Sequence, residues 1–324
     1  STGSITATLG ILWIVVVLSI LEVSLSFDNA VVNATVLREM DEKWQRRFLT
    51  WGILIAVFGM RIIFPLAIVA IAAKLDPISA INLSLNDPER YEQIVSSAHI
   101  GIAGFGGAFL TMVGLNFFFD GDKDVDWIRG LELALRRFSE VKAAEIGILL
   151  LLLYGISTML AEDEAMVFLS SGILGIITYI AVDAVGSLLD KVERKKMAAG
   201  AVRSGIGGFL YLEVLDASFS FDGVIGAFAL SNNMLIIAIG LSIGAMFVRS
   251  MTVHLVRAGT LSKYRFLEHG AFWAIIALGL IMLFSAKYHI SESITGLIGA
   301  VLIGISLLWS LRYNRKHGRQ TDTV

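Results

Sequence analysis

The feature that most limits what this chain can fold into is its succession of long apolar stretches. Segments at roughly 6–37, 48–73, 94–119, 144–160, 165–187, 204–231, 234–256, 267–286 and 291–311 are each long enough for a membrane-spanning helix, which needs about 20 predominantly apolar residues. In lipid every backbone amide and carbonyl must find its partner inside the segment or in a closed barrel, so stretches of this length read as helices. Charged residues make up 17% of the chain, against about 25% in soluble domains. No long polar, Ser-rich or Pro-rich tract marks a detached domain. The expected fold is therefore an all-α, multi-pass integral membrane protein of about nine transmembrane helices. Residues 1–9 carry no basic n-region, so the first apolar run is expected to be a retained membrane helix and not a signal peptide.

The basic residues set an orientation, because Lys and Arg gather in cytoplasmic loops. With nine spans and the N-terminus outside, the cytoplasmic regions hold Arg38, Lys43, Arg46 and Arg47, then Lys123, Arg129, Arg136, Arg137 and Lys142. They next hold Lys191, Arg194, Lys195, Lys196 and Arg203, then Arg257, Lys263 and Arg265, and finally Arg312, Arg315, Lys316 and Arg319. Only Lys74, Arg90 and Lys287 fall outside, while Arg61 and Arg249 lie within spans. Adding or dropping one early span would reverse every later loop and destroy this asymmetry. The expected topology is N-out and C-in.

A repeat is visible within the chain. Leu21-Glu-Val-Ser-Leu-Ser-Phe-Asp28 and Leu215-Asp-Ala-Ser-Phe-Ser-Phe-Asp222 match at five of eight positions. The next span of each half carries a glycine followed nine residues later by an arginine, Gly52 to Arg61 and Gly240 to Arg249. The third spans open on His99-Ile-Gly101 and Glu268-His-Gly270. Spans one to four thus correspond to spans six to nine, and an odd connecting span inverts the second unit. The expected organisation is an inverted repeat of 4 + 1 + 4 helices: residues 1–162, a connecting helix at 163–190, and an inverted repeat at 191–324 with a short basic cytoplasmic tail. Many secondary transporters share this plan, with a site near the midplane on interrupted helices.

The duplicated segment carries the chemistry. A carboxylate at the bilayer centre costs about 3 kcal/mol or more and needs a polar partner or a cavity. Glu22, Asp28, Asp216 and Asp222 would share one region, with hydroxyls from Ser24, Ser26, Ser218 and Ser220 and an amide carbonyl from Asn29. In a regular helix Glu22 and Ser26 share one face, and Ser24 and Asp28 another. Convergence of all four acids is therefore expected to require local unwinding, for which Gly223 offers a break in the second copy and nothing offers one in the first. An all-oxygen donor set suits hard cations such as Mg, Ca and Mn. Arg61 and Arg249 are the expected counter-charges, and four ionised carboxylates with two guanidinium groups sum to −2, the charge one divalent cation neutralises. Pro65 lacks the amide that would bond the Arg61 carbonyl, so a kink is expected there. The competing reading is that these acids and arginines merely pair to hold helices together.

Ser24 to Asn29, the second copy at Ser218 to Gly223 and the two arginine-bearing spans resemble the TerC family of integral membrane proteins. Phe117-Phe-Phe-Asp-Gly-Asp-Lys-Asp-Val-Asp-Trp127 is similar to a branch of that family catalogued as a domain of unknown function. The resemblance implies manganese export, tellurium resistance or metal homeostasis. It makes Asp28, Asn29 and Asp222 cation ligands, with Glu22 and Asp216 nearby; Gly223, where the first copy has Asn29, departs from the pattern. The expected function is export of a divalent cation, Mn²⁺ foremost, as transported substrate, by alternating access in a bacterial-type inner (plasma) membrane. The alternative is a non-transporting scaffold or sensor of a metal-stress or tellurium-resistance complex, and an organic-solute exporter is a third.

Other features point elsewhere or nowhere. Asp120, Asp122, Asp124 and Asp126 alternate as in a calcium loop, but Val125 stands at the required glycine and Leu131 at the closing glutamate. The acidic turn at Glu162 to Glu164 reads as solvated, and Asp183 as a helix-end residue. The histidines at 99, 254, 269, 289 and 317 form no ligand pair, with His254 the candidate proton acceptor. A net charge of −2 argues against a nucleic-acid partner, and the absence of cysteine removes thiolate chemistry. No nucleophile or nucleotide motif appears, so an enzyme is not expected, and the oligomeric state stays open.

Overall fold

The computed structural model describes residues 2–38, 40–72, 74–120, 125–137, 141, 143–197, 206–227, 230–231, 233–288, 290 and 292–317. Within its helices the side chains of several residues lie outside that description, among them Ser24, Asp28, Ser220 and Asp222. Every described element is helical. Helix α1 (Thr2–Leu25) abuts α2 (Phe27–Arg38) at Ser26. A short α3 (Glu42–Arg47) leads into two π-helical stretches, Phe48–Gly52 and Ile55–Ile63, and then α4 (Phe64–Ala72). Next come α5 (Pro77–Asn86), α6 (Pro88–Ser97), α7 (His99–Phe119), α8 (Arg129–Arg137), α9 (Ala144–Ser157) and α10 (Glu162–Met197). The chain ends with α11 (Ile206–Ala227), α12 (Met234–Arg257), α13 (Thr260–Lys263), α14 (Leu267–Ser285) and α15 (Glu292–His317).

The described residues of the nine apolar segments lie mostly on helix. Among the described residues six helices are long and apolar enough to cross a membrane: Glu42–Ala67, His99–Phe119, Glu162–Ala184, Met234–Arg257, Leu267–Ser285 and Leu297–Lys316. Thr8–Val23 and Ala144–Ser157 are shorter apolar helices. The distribution of polarity fits lipid as the surrounding medium. Leu151 is 73% exposed and Phe247 63%, whereas Glu22 is 4% exposed and Arg249 2%. Large apolar side chains face outward and charges face inward, the reverse of a soluble domain. The chain is a multi-pass, all-helical membrane protein.

Helix α7 forms the centre of the bundle. Its side chains Phe109, Met112 and Phe118 pack into one cluster with Leu149 and Leu153 of α9, Phe168 of α10 and Leu283 of α14. Helices α7 and α14 meet almost backbone to backbone: a Cβ on Gly107 would lie 2.9 Å from the Gly279 carbonyl oxygen, and one on Gly279 3.1 Å from that of Gly107. Small residues at a helix crossing allow this approach in a membrane, where dispersion contacts replace the hydrophobic effect between helices.

The acid-bearing helices exchange partners between halves. Helix α1 lies along α12, and α11 lies against the 55–63 stretch, so each packs on the arginine-bearing span of the other half. The segment holding Lys74 and Arg90 folds as α5 and α6, each begun by an Asp-Pro pair. Asp76 accepts from the amides of Ile78 and Ser79 at 3.0 and 3.1 Å, and Asp87 from that of Arg90 at 3.2 Å. An aspartate N-cap followed by proline is the favoured way to open a helix, since the proline has no amide to leave unsatisfied.

Candidate functional site

The polar centre is assembled from helix faces and not from unwound backbone. The first copy is interrupted only at Ser26, and the ladder continues through it: the Ser26 amide donates to the Glu22 carbonyl at 3.0 Å and the Ala30 amide to the Ser26 carbonyl at 3.2 Å. The second copy has no break, for α11 runs through Ser218 to Gly223. This corrects the expected unwinding at Gly223. A Cβ at that position would lie 3.1 Å from Glu22 Oε2, so the glycine makes room for the opposing acid, which also explains why no counterpart of Asn29 stands there.

With helical geometry retained, Glu22, Ser26, Asn29 and Asn33 fall at i, i+4, i+7 and i+11 and form one stripe. All four line a cavity of about 30 Å³ together with Ala56, Met60 and Arg61 of the second span, Asp216 of α11, and Ala245, Val248 and Arg249 of α12. That volume holds about one water or one bare ion. Glu22 meets Gly223 while Asn33, farther along the same stripe, meets Asp216. The two acidic segments therefore run antiparallel across the cavity.

Two ion pairs flank it. Arg61 donates to Glu22, whose Oε1 also accepts from the Ser26 hydroxyl at 3.2 Å. Arg249 donates to Asp216, and to both oxygens of Glu213 at 3.3 and 3.5 Å. It also donates to the Phe48 carbonyl at 3.3 Å, and its guanidinium carbon sits 4.1 Å from the centre of the Phe48 ring. Asn33 Nδ2 donates to the other oxygen of Asp216 at 2.7 Å. A buried charge pair of this kind holds only where further hydrogen bonds satisfy it. Around Asp216 those bonds come from both halves.

The backbone around Arg61 is unusual. From Ile55 to Ile63 the span is π-wound, and the Phe64 amide reaches back to the Gly59 carbonyl, five residues away. Pro65 follows as the second residue of α4, a first-turn position where its missing amide costs little. The kink expected there is resolved as π-winding, which recurs at functional sites.

Apolar clusters close the helix run on either side of the polar centre. Leu18, Tyr91, Val224, Ala227 and Met234 belong to one, and Leu37, Met40, Phe48 and Leu212 to the other. Leu18 precedes Glu22 on its helix and Leu37 follows Asn33, while Leu212 precedes Asp216 and Val224 follows it. The polar stripe thus lies between two apolar clusters.

Of the residues expected to hold a cation, Glu22, Ser26, Asn29 and Asp216 reach the cavity. Ser218 turns its hydroxyl back to the Val214 carbonyl at 3.0 Å and does not line it. The side chains of Ser24, Asp28, Ser220 and Asp222 lie outside the described residues. Among the described residues no three His, Asp or Glu side chains converge as a metal site. Glu213 and Asn33 are additions. Glu213 stands three residues before Asp216, outside the matched octet, and Asn33 was legible only as the next step of the Glu22 stripe.

The remaining candidates have other surroundings. Asp126 pairs with Arg136, and residues 121–124 of the alternating-acid loop lie outside the described set. Glu132 pins the end of that loop, accepting from the amides of Trp127 and Ile128 at 3.0 and 3.2 Å and from the Trp273 indole at 3.0 Å. His269 contacts the Val125 carbonyl at 2.7 Å and His99 the Ser285 hydroxyl at 3.3 Å. His254, Glu162, Asp163 and Asp183 are exposed. Histidine 289 and the side chain of His317 lie outside the description.

No curated protein and no solved structure matches the chain. A family model described as "Protein of unknown function (DUF475)" matches residues 27–317, which takes in the second acidic segment and both arginine-bearing spans but only the end of the first acidic segment, from Phe27 on. The chain belongs to that family, DUF475.

Proposed function

We propose that this protein is a secondary transporter that exports a divalent metal cation, with Mn²⁺ as the foremost substrate. The carrying observation is the small cavity that Glu22, Ser26, Asn29, Asn33 and Asp216 share with Arg61 and Arg249, placed between two apolar clusters. Carboxylate, hydroxyl and amide oxygens suit a hard cation, and a space near 30 Å³ suits one stripped of its hydration shell. The TerC resemblance of the duplicated segments favours manganese among such cations.

The mechanism follows from competition. Arg61 and Arg249 occupy the carboxylates that an incoming cation needs, so cation and guanidinium are alternative partners of Glu22 and Asp216. Loading the cavity displaces the arginines, and emptying it restores the ion pairs. In this reading the apolar cluster containing Leu37 and Leu212 opens toward the cytoplasm and the one containing Leu18 and Tyr91 opens outward, one at a time. Nine spans with the N-terminus outside, in a 4 + 1 + 4 inverted repeat, make the two openings pseudo-symmetric. The antiparallel run of the acidic segments and the exchanged helix contacts support that plan. With Glu213, three described acids, Glu22, Glu213 and Asp216, stand beside two arginines, an excess that favours a cationic substrate over a neutral one.

Flux tests the proposal. Purified protein in liposomes is expected to carry Mn²⁺, and Glu22→Gln, Asp28→Asn and Asp222→Asn each to abolish most of that movement. Undiminished transport by all three variants would sink it. One observation favours a second reading, a non-transporting sensor or scaffold: Glu22 and Asp216 each already have an arginine partner. A scaffold binds its partners and moves no cation, so the same liposomes separate the two.

A further inference from the structure

Among the side chains around the central cavity, Asn33 has half of its amide satisfied. It is 2% exposed, its Nδ2 donates to Asp216 Oδ1 at 2.7 Å, and its Oδ1 has no hydrogen-bond partner among the described residues. The orientation of the amide is set by its neighbour. A carboxylate oxygen only accepts, so the edge facing Asp216 must be the NH₂ and the other edge must be the carbonyl. A buried carbonyl oxygen without a donor is uncommon in a native protein and calls for an unseen partner.

Two kinds of partner fit an acceptor, a hydrogen-bond donor or a cation. The cavity beside Asn33 favours the cation. Ser26 already directs its hydroxyl proton to Glu22, leaving oxygen lone pairs free, and the carboxylates of Glu22 and Asp216 add negative charge to the same lining. Asn33 also continues the stripe that begins at Glu22. Asp216, by holding Nδ2, prevents the amide from flipping its NH₂ toward a positive ion.

We propose that Asn33 is a cation ligand, its Oδ1 coordinating a hard divalent ion in the central cavity while its Nδ2 stays bonded to Asp216. The assignment rests on the transport reading and deepens it by naming a neutral oxygen ligand outside the duplicated acidic segments. A bound cation polarises the amide and strengthens the Nδ2 bond to Asp216, on which Arg249 also donates. Loading the cavity from the first half thereby weakens the hold of the second half's arginine on its acid.

The chain contains no cysteine, so Asn33→Cys places a single thiol at the proposed ligand position. Titrating the purified full-length variant with Cd²⁺ is expected to produce a thiolate-to-metal charge-transfer band that saturates at one ion per chain. The band should be absent from the parent and lost in the Asn33→Cys, Glu22→Gln double variant. Asn33→Leu, checked for an unchanged melting temperature, is expected to weaken Mn²⁺ binding by about tenfold or more, a loss seen even for residues one shell removed from a metal. If Asn33→Leu does not fold, the cysteine variant decides alone. An Asn33→Cys protein with no band, where the parent binds Mn²⁺ and Glu22→Gln weakens that binding, overturns the Asn33 assignment and leaves the transport reading standing. A parent protein that binds no Mn²⁺ overturns both.

Discussion

The two halves keep their arginines in different company. Arg61 pairs with Glu22 on a π-wound stretch that ends at a proline, whereas Arg249 projects from the regular helix α12 into a cluster of Glu213, Asp216, the Phe48 ring and the Phe48 carbonyl. Position for position, Ser19 stands in the first half where Glu213 stands in the second, each three residues before the paired acid, and its hydroxyl lies between two acceptors, the Val15 carbonyl at 2.8 Å and the Gly240 carbonyl at 2.9 Å. One duplicated motif therefore sets the Arg61–Glu22 pair on a π-wound support and the Arg249 cluster on a straight one. Under the proposed mechanism, in which the arginines are released to admit a cation, this difference would divide the labour. The Arg61 side would give way, and the Arg249 side would anchor.

The largest expected effects break this comparison directly. Arg249→Met leaves Glu213 and Asp216 close together without counter-charge, and removing one partner of a buried ion pair costs about 3–5 kcal/mol. The upper end of that range, or failure to fold, is expected for Arg249→Met, and the lower end for Arg61→Met, after which Glu22 keeps the Ser26 hydroxyl as a donor. Thermal unfolding in detergent measures both, and equal losses would erase the distinction between the halves.

Next come the glycines against which these groups pack. A Cβ on Gly244 would lie 2.5 Å from Glu22 Cβ and 2.9 Å from the Ser19 carbonyl oxygen, atoms that cannot move without their helix. Gly244→Ala is expected to cost about 1–3 kcal/mol, as overpacking does. A Cβ on Gly52 would lie 2.0 Å from Arg249 Nη1 and 2.9 Å from Glu213 Oε1. Gly52→Ala can be relieved only by dislodging the braced arginine, so it should lower Mn²⁺ transport more than Gly244→Ala does at matched stability. The reverse order in a flux assay would make the Glu22 side the anchor.

What was legible beforehand divides along a physical line. Helix positions followed from apolar length, because lipid allows an isolated apolar segment few other conformations. Arg61 and Arg249 were visible because a charge inside such a segment is conspicuous. Asn33 and Glu213 lie outside the matched octet, whose repetition is the signal that marks the site in the sequence. A regular helix already aligns Glu22, Ser26, Asn29 and Asn33, and the antiparallel neighbour brings Asp216 to that line. The π-winding was beyond reach of the local sequence. Pro65 announces a missing amide but does not say which ladder the preceding residues adopt.

A smaller effect sharpens the contrast between Ser19 and Glu213. Ser19→Ala removes the hydroxyl that lies between the Val15 and Gly240 carbonyls and is expected to cost about 1 kcal/mol, with no change in the metal dependence of transport. A larger loss, or altered Mn²⁺ affinity, would mean that Ser19 belongs to the site as its counterpart does.

The smallest expected change, and the most diagnostic, is that of Glu213→Gln. Two carboxylates share Arg249, but Asp216 makes the shorter contact and also receives Asn33 Nδ2, while Glu213 holds the guanidinium at 3.3 and 3.5 Å. Glutamine keeps an oxygen to accept from Arg249 and removes the charge that exceeds what one guanidinium balances. The lost ionic attraction and the relieved repulsion between Glu213 and Asp216 oppose each other, so the net change in stability should stay under about 1 kcal/mol, within the range of an ordinary hydrogen bond. Asp216→Asn, by contrast, should cost more and weaken cation binding. If Glu213→Gln proves as damaging as Arg249→Met, then Glu213 is the acid that Arg249 chiefly serves. Asp216 would then be left free for the cation, and the second half would hold its arginine aside during transport instead of surrendering it.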